Sequence, residues 1–363
     1  MNNKKAIIAM SGGVDSSVAA LLIKKRNIDC LGITMQLQGD EGISLDPEQS
    51  CCTTKDIEDA KRVAASLNIP FSLLNFSDDF GRQVIDRFVD AYEKGFTPNP
   101  CIDCNRYIKW EKLFEEMKDR GYDYVVTGHY ARIEFDPETN LYKLKKGLDE
   151  GKDQSYVLYN LTQEQLSHTL LPIGELSKSE VRELAEANGF VNADKPDSQD
   201  ICFIPDGDYA AFIETRTGKN YPNGEFVDKE GNVLGEHKGL IRYTIGQRKG
   251  LGLALKKPGY VCRKCSETNR VIIGDNEDLF TRRLVASDFN WILGQPNSPI
   301  SVKAKTRYKH REQPATATLL SDGRVEILFD EPQRAITEGQ AVVLYDGDTV
   351  LGGGTITETE YNV

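Results

Sequence analysis

The chain has 363 residues, enough for two or three domains, and its 39% share of hydrophobic residues is ordinary for a soluble globular protein. A formal net charge of −11 excludes a surface that is basic all over, but a nucleic acid needs only a local basic face. No segment reads as a membrane span, and the N-terminal MNNKKAIIAM lacks the long apolar core of a signal peptide. With eight cysteines and no such signal, we expect a reducing cytoplasm, where thiols act as reactive groups or metal ligands.

Apolar runs alternate with amphipathic segments up to about residue 130. The runs predict buried strands and the segments predict helices, an alternation typical of a doubly wound parallel α/β sheet. The strands are predicted near 5–10, 28–35, 70–76 and 123–127, and the helices near 16–26, 54–67, 80–94 and 107–120.

Two further helices are predicted between residues 160 and 190, and the second begins with a capping box formed by Ser177 and Glu180. After about residue 206, glycines and short alternating runs predominate, which predicts a small β-rich domain and then a β-barrel. We therefore divide the chain into a catalytic α/β domain, a central β-rich domain and a C-terminal β-barrel, with boundaries at 1–205, 206–283 and 284–363.

The segment SGGVDSS, which starts at Ser11, joins the first strand to the first helix. Gly12 and Gly13 leave backbone N–H groups uncovered at a helix N-terminus, whose dipole favours an anion. A lysine-bearing P-loop would carry its lysine where Asp15 and Ser16 stand. The alternative is a helix capped by Ser11 or Asp15 without any ligand. The whole pattern resembles the PP-loop of ATP pyrophosphatases, which split ATP into AMP and pyrophosphate.

Three parts of the predicted sheet carry this site. Ligands of such sheets bind beyond the carboxyl ends of the strands. The glycine pair of the loop, Met35 and the TGHY at 127–130 all follow strand ends, so we expect them to converge on one crevice.

The stretch GFTPNPCIDCNRYIKW contains a Cys-x-x-Cys pair. Pro98 and Pro100 predict an extended loop, which would place Cys101 and Cys104 just before a helix beginning near Tyr107. A thiol near a helix N-terminus has a stabilised thiolate, so Cys104 is a candidate nucleophile. The intervening aspartate would point away from the two thiols in such a loop, and we assign it no role.

The other cysteines are less specific. Cys202, in KPDSQDICFIP, is by residue type alone more often a buried small hydrophobe than a catalyst. Cys51 and Cys52 are adjacent and are interpreted as packing or loop residues. Cys262 and Cys265 form a second Cys-x-x-Cys, and two such pairs can bind zinc, although these are far apart in sequence.

Taken together and in their order along the chain, eight sequence blocks resemble those of the tRNA-specific 2-thiouridylases, over essentially the full length. The resemblance implies transfer of sulfur to carbon 2 of the wobble uridine in tRNAs for lysine, glutamate and glutamine. It also implies ATP and Mg²⁺ as cofactors and a partner protein that donates persulfide sulfur. The blocks are SGGVDSS, TPNPCIDCN, IKW, TGHYAR, KDQSY, DSQDICFI, GEHKGLIRYTIGQRKGLGL and LGGGTI.

The resemblance also implies roles for individual residues. Cys104 would be the nucleophile, and Cys202 would carry the incoming sulfur as a persulfide. ATP would be bound by Ala9, Met10, Ser11, Gly12, Gly13, Val14, Asp15, Ser16, Met35 and Gly128. The target base and the tRNA would be contacted by Asn99, Pro100, Cys101, His129, Lys152, Asp153, Gln154, Arg307, Tyr308 and Gln340.

The implied chemistry begins at a poor electrophile, the urea-like carbonyl of uracil. Adenylation by ATP would turn its oxygen into a leaving group, and Mg²⁺ would neutralise the pyrophosphate, with Asp15 as a direct or water-mediated ligand. The persulfide on Cys202 would then supply sulfur. Cys104 would release it by forming a disulfide with Cys202, or by freeing hydrosulfide.

One position departs from the pattern of the family. Many members carry aspartate where this chain has Cys101, and that aspartate is usually given a proton-transfer role. With Cys104 and Cys202, the substitution resembles the ligand set of cluster-dependent tRNA thiolation enzymes, in which three thiolates hold a four-iron four-sulfur cluster. Both mechanisms stay open, and we favour a ligand role for Cys101. An amide-forming ATP pyrophosphatase and a zinc-dependent RNA-binding module are more distant alternatives.

Two basic stretches are candidates for tRNA binding, which would make the central domain a tRNA-binding domain; the alternative is a solvated basic face. In SVKAKTRYKHR, basic residues alternate and would emerge on one face of a strand, and in IRYTIGQRKGLGLALKK they surround glycines that let RNA approach closely. The first set is Lys303, Lys305, Arg307, Lys309 and Arg311, and the second is Arg242, Arg248, Lys249, Lys256 and Lys257.

Overall fold

The computed structural model describes residues 3–37, 53–197, 201–297 and 299–360. The chain forms two compact units. The first comprises Met1–Ile85, Pro100–Gly207 and Asp348–Leu351, and the second comprises Asp86–Asn99, Asp208–Gly347 and Gly352–Val363. In the described parts of the chain, no helix is both long enough and apolar enough to cross a membrane.

A five-stranded parallel sheet forms the centre of the first unit, with the strand order β3-β2-β1-β4-β7. In the central strand, Ile7 and Ile8 are fully buried, as expected for a parallel strand that is covered on both faces. The predicted parallel sheet is confirmed. Its strands are β1 (Lys5–Ala9), β2 (Asp29–Gln36), β3 (Phe71–Asn75), β4 (Tyr124–Val126) and β7 (Thr169–Leu170).

Helices of the first unit cover this sheet and bury an aliphatic core that includes Val18, Ala60 and Val181. The predicted capping box at Ser177 and Glu180 is confirmed, and a second one begins the 54–66 helix. The helices that lie wholly within this unit are α1 (Val14–Lys25), α2 (Thr54–Ser66), α3 (Ser77–Phe80), α5 (Pro100–Asp103), α6 (Leu113–Asp119), α7 (Gln163–Ser167) and α8 (Lys178–Ala187).

Two stretches between these helices have the wider hydrogen bonding of a π-helix. Gly81–Ile85 joins α3 to α4 (Asp86–Glu93), and Cys104–Lys112 joins α5 to α6. The prediction of an extended loop around the Cys-x-x-Cys pair is therefore wrong. Pro100 is the first residue of a helix, a position where its missing N–H costs nothing and its fixed φ is favourable. Helical structure begins there and not near Tyr107.

The first unit also contains an antiparallel hairpin of β5 (Ala131–Asp136) and β6 (Leu141–Lys146). Arg132 Nη2 donates to Asp348 Oδ2 at 2.7 Å, which attaches the hairpin to the short 348–351 segment of the same unit. Thr349 pairs with Lys145 beside this contact.

The second unit is rich in β-structure, as predicted. A helix, α9 (Tyr209–Thr217), precedes a four-stranded sheet with the order β10-β11-β8-β9, whose core includes Phe226, Val261 and Val271. Its strands are β8 (Gly224–Val227), β9 (Val233–His237), β10 (Tyr260–Cys265) and β11 (Arg270–Gly274).

Six antiparallel strands then form a barrel in the order β12-β15-β14-β13-β16-β17, closed by pairing of β12 with β17. The interior is apolar and includes Val285, Ile327 and Val343. The predicted C-terminal barrel is confirmed. Its strands are β12 (Phe280–Trp291), β13 (Ile300–Lys305), β14 (Gln313–Leu319), β15 (Val325–Arg334), β16 (Ala341–Asp346) and β17 (Thr349–Thr359).

The prediction of a basic strand through residue 311 is only half right. β13 ends at Lys305, and Ala304 pairs with Gln313, so the residues between them form the hairpin loop. Arg307 Nη2 donates to the carbonyl oxygen of Ala335 and to Thr337 Oγ1, both at 2.7 Å. Its guanidinium is thus bonded to the barrel itself and does not continue a row of outward-facing cations.

Candidate active site

The loop between β1 and α1 is shaped by its glycines. Gly12 has φ +76°, and a Cβ there would lie 2.3 Å from the carbonyl oxygen of Asp56, so only glycine fits. Gly13 precedes α1, and within the described residues no side chain caps this helix. The predicted alternative, capping by Ser11 or Asp15, is therefore not what the structure contains. The first-turn N–H groups have the arrangement that binds phosphate.

Serine hydroxyls hold the loop in this shape. Ser16 Oγ accepts a hydrogen bond from the N–H of Ser11 at 3.2 Å and donates to the carbonyl oxygen of Gly13 at 3.0 Å. Ser17 Oγ donates to the same carbonyl at 3.0 Å. These bonds turn the serines toward the loop's own backbone and so preorganise it.

The end of β4 also reaches this loop. A Cβ on Gly128 would lie 2.6 Å from the carbonyl carbon of Asp15 and 2.7 Å from the nitrogen of Ser16. Met10, just after β1, and Met35, near the end of β2, are both buried. The structure thus places Gly128 against the phosphate loop, at the carboxyl ends of neighbouring strands.

An ion-pair network begins at the first turn of α1. Lys178 Nζ lies 2.7 and 2.9 Å from the two carboxylate oxygens of Asp15 and 2.7 Å from Asp197 Oδ1. Lys152 Nζ donates to the other oxygen of Asp197 at 2.8 Å, and Tyr130 donates its hydroxyl to Asp15 at 2.8 Å. Burial alone would raise the pKa of Asp197, but the hydrogen bonds from both lysines lower it, so the carboxylate is ionised.

A second cation supports the other side of the loop. Lys195 Nζ donates to the carbonyl oxygen of Gly12 at 3.1 Å and pairs with Asp56 and Asp59. Burial lowers the pKa of Lys195, but its bonds to the two carboxylates outweigh this and raise it. Asn192 Nδ2 donates to the same Gly12 oxygen at 2.9 Å. Two lysines from distant segments thus brace the loop region, and each is paired with two carboxylates.

The two candidate catalytic cysteines lie on segments of the first unit that pack near α3. Cys101 is exposed and Cys104 half-buried, in adjacent turns of one helical stretch. Cys202 is half-buried, and the ring of its neighbour Phe203 meets the ring of Phe80 in α3 edge to face at 5.8 Å. The Cys104–Lys112 stretch contacts α3 as well.

The cysteines are the candidate metal ligands of this chain. In residues 3–37, 53–197, 201–297 and 299–360, no three His, Cys, Asp or Glu side chains come close enough to hold a metal ion. The described residues therefore contain no single-ion site of this kind, and the cluster ligand role favoured for Cys101, with Cys104 and Cys202, stays a prediction. Cys51 and Cys52 lie outside the described residues.

Other predicted tRNA-contacting residues of the first unit surround the ion-pair network. Gln154 Oε1 accepts from the N–H of Tyr130 at 3.0 Å, and Asp153 Oδ1 accepts from the N–H of Gly147 at 3.1 Å. His129 is only 6% exposed, and its Nδ1 lies 2.7 Å from Thr127 Oγ1. Burial, helped by the charge of Lys109, lowers the pKa of His129, so its imidazole is neutral.

The remaining predicted contacts lie in the second unit, apart from Pro100. Gln340 Nε2 donates to the carbonyl oxygen of Thr97 at 2.7 Å, two residues before Asn99. Tyr308 lies beside Lys305, whose Nζ is 5.7 Å from the ring centroid. Asp103 belongs to the same helix as Pro100, so the extended-loop reason for giving it no role does not hold.

Sequence reasoning missed Lys178, Asn192 and Lys195. Lys178 is separated from Asp15 by 163 positions, and no spacing rule connects them. One feature of the sequence could have pointed to these residues. The loop itself has no lysine, so any cation beside it must come from another segment.

Three family models match consecutive parts of the chain. Residues 4–206 match the tRNA methyl transferase HUP domain, residues 210–275 the tRNA methyl transferase PRC-barrel domain, and residues 281–356 the aminomethyltransferase beta-barrel domain. The α/β part of the chain, which carries the glycine loop, is therefore a HUP domain. Two β-domains follow it along the chain.

Curated relatives match nearly the whole chain. The tRNA-specific 2-thiouridylase MnmA of Clostridioides difficile is 50% identical over 358 residues, which are 98% of this chain and 99% of the relative. The protein of the same name from Lachnoclostridium phytofermentans is 50% identical over 355 residues, 97% of this chain and 99% of the relative. The chain belongs to the family of tRNA-specific 2-thiouridylases.

Proposed function

We propose that this chain is an ATP-dependent tRNA-uridine 2-sulfurtransferase that modifies the wobble uridine of tRNAs for lysine, glutamate and glutamine. The observation that carries the proposal is the glycine loop at the start of α1, in a chain half identical to tRNA-specific 2-thiouridylases over nearly its full length. The loop offers uncapped N–H groups to phosphate, and bonds from distant segments, such as that of Lys195 to the Gly12 carbonyl oxygen, hold it in shape.

The first step is adenylation of the substrate. The loop from Ala9 to Ser16, with Met35 and Gly128, binds ATP so that the oxygen on carbon 2 of uracil attacks the α-phosphorus. Pyrophosphate leaves, and the oxygen becomes part of a good leaving group. Carbon 2 can then accept a sulfur nucleophile.

The second step is sulfur transfer. The terminal sulfur of a persulfide on Cys202 attacks carbon 2, and AMP departs with the former carbonyl oxygen. The Cys104 thiolate then attacks the inner sulfur of Cys202. The sulfur–sulfur bond of the persulfide breaks, the base keeps the outer sulfur, and a Cys104–Cys202 disulfide forms. A cellular thiol must reduce that disulfide before the next turnover.

Bound with ATP, Mg²⁺ would supply charge that neutralises the pyrophosphate. The acidic residue of the loop is Asp15, and both of its carboxylate oxygens already contact Lys178. We therefore assign Asp15 a contact through water and not direct ligation. An iron–sulfur cluster stays the alternative, and no step is derived through one.

The RNA and protein partners follow from the same reaction. We propose that the base enters near Asn99, Pro100 and Cys101, and that the central and C-terminal domains contact the tRNA. The boundaries at 206 and 284 stay predictions. The outer sulfur comes from a persulfide-carrying donor protein, and the reaction takes place in the cytoplasm.

The proposal is tested with purified protein, tRNA lacking 2-thiouridine, ATP, Mg²⁺, a persulfide donor and a thiol reductant. The product is measured by mass spectrometry of tRNA nucleosides. We expect 2-thiouridine formation that requires ATP, and equal amounts of AMP and thiolated base. Thiolation without ATP consumption, or the same yield after Gly12→Val, would overturn the proposal. Lys4→Met, which changes an exposed surface ion pair with Asp123, serves as the control.

A further inference from the structure

The side chain of Asn105 is bonded to the helical stretch that carries Cys101 and Cys104. Its Nδ2 donates to the carbonyl oxygen of Cys101 at 2.8 Å, four residues earlier. The three residues lie at different depths: Cys101 is exposed, Cys104 is half-buried, and Asn105 is only 4% exposed. Asn105 therefore lies below the surface, at a place where the neighbouring turn reaches solvent.

The bond to Cys101 also fixes which way the amide of Asn105 points. A carbonyl oxygen can only accept a hydrogen bond, so the amide nitrogen must face Cys101 and the amide oxygen must not. Nδ2 and Oδ1 share one carbon atom, which keeps Oδ1 within about 5 Å of the Cys101 carbonyl oxygen. The structure thus sets an acceptor atom close to Cys101 and directs it away from that carbonyl.

This acceptor atom has no donor among the residues that the structure describes. Asn105 Oδ1 is buried, and none of their N–H or O–H groups donates to it. A buried acceptor without a donor costs free energy, and in a native protein such an atom usually marks a place for bound water or a ligand. Asn105 belongs to the π-helical stretch Cys104–Lys112, a type of helix that is frequent at functional sites. The group that completes this bond must be a hydrogen-bond donor.

Uracil has one hydrogen-bond donor on its base-pairing edge, the N3–H group between the two carbonyl groups. Cytosine has a lone pair at N3 instead. The asparagine oxygen only accepts hydrogen bonds, so Oδ1 can pair with uracil at this position and not with cytosine. N3 is also bonded to carbon 2, the atom that receives sulfur, so a residue that binds N3–H must lie beside the reacting groups. Asn105 directly follows Cys104, the candidate nucleophile.

We propose that Asn105 is a specificity-determining residue, whose Oδ1 accepts the hydrogen bond of uracil N3–H and so distinguishes the target uridine from cytidine. The proposal rests on the proposed function in one respect, that the base enters beside Cys101. No proton is transferred to the amide, and 2-thiouracil keeps its N3–H. Oδ1 is covered in this structure, so the entering base must displace the side chains that cover it.

The test measures the dissociation constant of tRNA from the full-length protein at one salt concentration, without ATP or a sulfur donor, so that no turnover occurs. Three tRNAs differ only at the wobble base, which is uridine, N3-methyluridine or cytidine. Asn105→Leu keeps the shape of the side chain and removes both polar atoms, whereas Asn105→Asp keeps an acceptor. Asn188→Leu is the matched control, because Asn188 Nδ2 also donates to a carbonyl oxygen four residues earlier, at 2.7 Å, and is exposed at the end of α8.

We expect the wild type to bind the uridine tRNA at least about tenfold more tightly than the other two, because both of those lack N3–H and leave Oδ1 unpaired. In Asn105→Leu the three dissociation constants should agree within about twofold, because the acceptor is gone. Asn105→Asp and the control should keep a preference for uridine of at least about fivefold. A residue that only supports folding would weaken the binding of all three tRNAs equally.

Equal affinities of the wild type for the three tRNAs, or an unchanged preference in Asn105→Leu, would overturn the proposal and mean that Oδ1 binds only a buried water. Loss of the preference in Asn105→Asp would overturn it as well, and this nearly isosteric variant decides the matter even if Asn105→Leu fails to fold.

Failure of the proposed function has a different outcome, which is read from 2-thiouridine formation by the wild type with ATP and a persulfide donor. If no 2-thiouridine forms, the proposed function falls. If 2-thiouridine forms and the binding preference does not depend on Asn105, only the role of Asn105 falls.

Discussion

The two Cys-x-x-Cys pairs of this chain have the same spacing and opposite surroundings. Cys101 and Cys104 lie three residues apart in a helical stretch that begins at Pro100, with one thiol exposed and the other half-buried. Cys262 and Cys265 lie three residues apart in β10, where Cys262 is fully buried. In a helix this spacing puts two side chains on one face, whereas in a strand it does not.

The local structure of β10 explains why its pair differs. The pairing of β10 with β11 shifts register between Val261 and Arg263, as at a β-bulge, and Val261 and Cys262 are both buried. Burial raises the pKa of the Cys262 thiol to about 11. The same Cys-x-x-Cys spacing therefore leaves the thiols of one pair accessible and buries a thiol of the other, and the helix or strand that carries the pair decides which.

The largest difference between the pairs should appear in catalysis. We expect Cys104→Ser to lower thiolation by about a thousandfold or more, since the hydroxyl cannot release sulfur from Cys202. Cys265→Ser should stay within about twofold, because nothing in the proposed reaction uses that thiol. The measurement is 2-thiouridine formed per enzyme under saturating ATP. Equal losses of thiolation activity in the two variants would mean that the Cys-x-x-Cys spacing, and not the helix or strand that carries it, determines which thiols are needed.

The alkylation rates of the thiols in the two pairs should also differ, by a smaller factor than the activities do. A thiol reacts as its thiolate, and a pKa of about 11 leaves Cys262 almost wholly protonated at neutral pH. We expect its alkylation in the native protein to be at least about a hundredfold slower than that of Cys104. As pH rises toward 11, the unfolded chain ionises this thiol first, so the stability it contributes is present at neutral pH and is lost above its ordinary pKa of about 9. Fast alkylation of Cys262 at neutral pH would contradict this.

For the free energy of unfolding, the substitution in the second Cys-x-x-Cys pair should have the larger effect. Cys262→Ala removes a fully buried sulfur from a packed sheet core and should lower the free energy of unfolding by about 1–2 kcal/mol. Cys101→Ala changes an exposed side chain and should cost less than about 0.5 kcal/mol. Urea unfolding of both variants measures the difference. A greater loss of stability for Cys101→Ala than for Cys262→Ala would contradict this.

How much the sequence predicted depends on whether the signal was local. The buried run of Ile7 and Ile8 and the capping box at Ser177 depend on near neighbours, and both were predicted correctly. The extended loop predicted at Pro100 is wrong because proline breaks a helix only in its interior. In the first turn of a helix proline is favourable, and Pro100 lies there. The bridge from Lys178 to Asp15 joins distant parts of the chain, and only the tertiary fold brings them together.

The smallest expected effect concerns Cys101, and it tests whether the first pair is a pair in function at all. Cys101→Ala keeps a good helix former in the first turn, and the bond from Asn105 Nδ2 to the Cys101 carbonyl at 2.8 Å does not involve the side chain. If the persulfide relay operates, thiolation should stay within about threefold of wild type, in protein purified in air and free of iron. The measurement is activity together with iron and sulfide analysis, before and after anaerobic reconstitution. Cys265→Ala is the matched control from the second pair. Loss of activity and of bound iron in Cys101→Ala alone would mean that Cys101, Cys104 and Cys202 hold an iron–sulfur cluster, and Cys101 and Cys104 would then act as joint ligands.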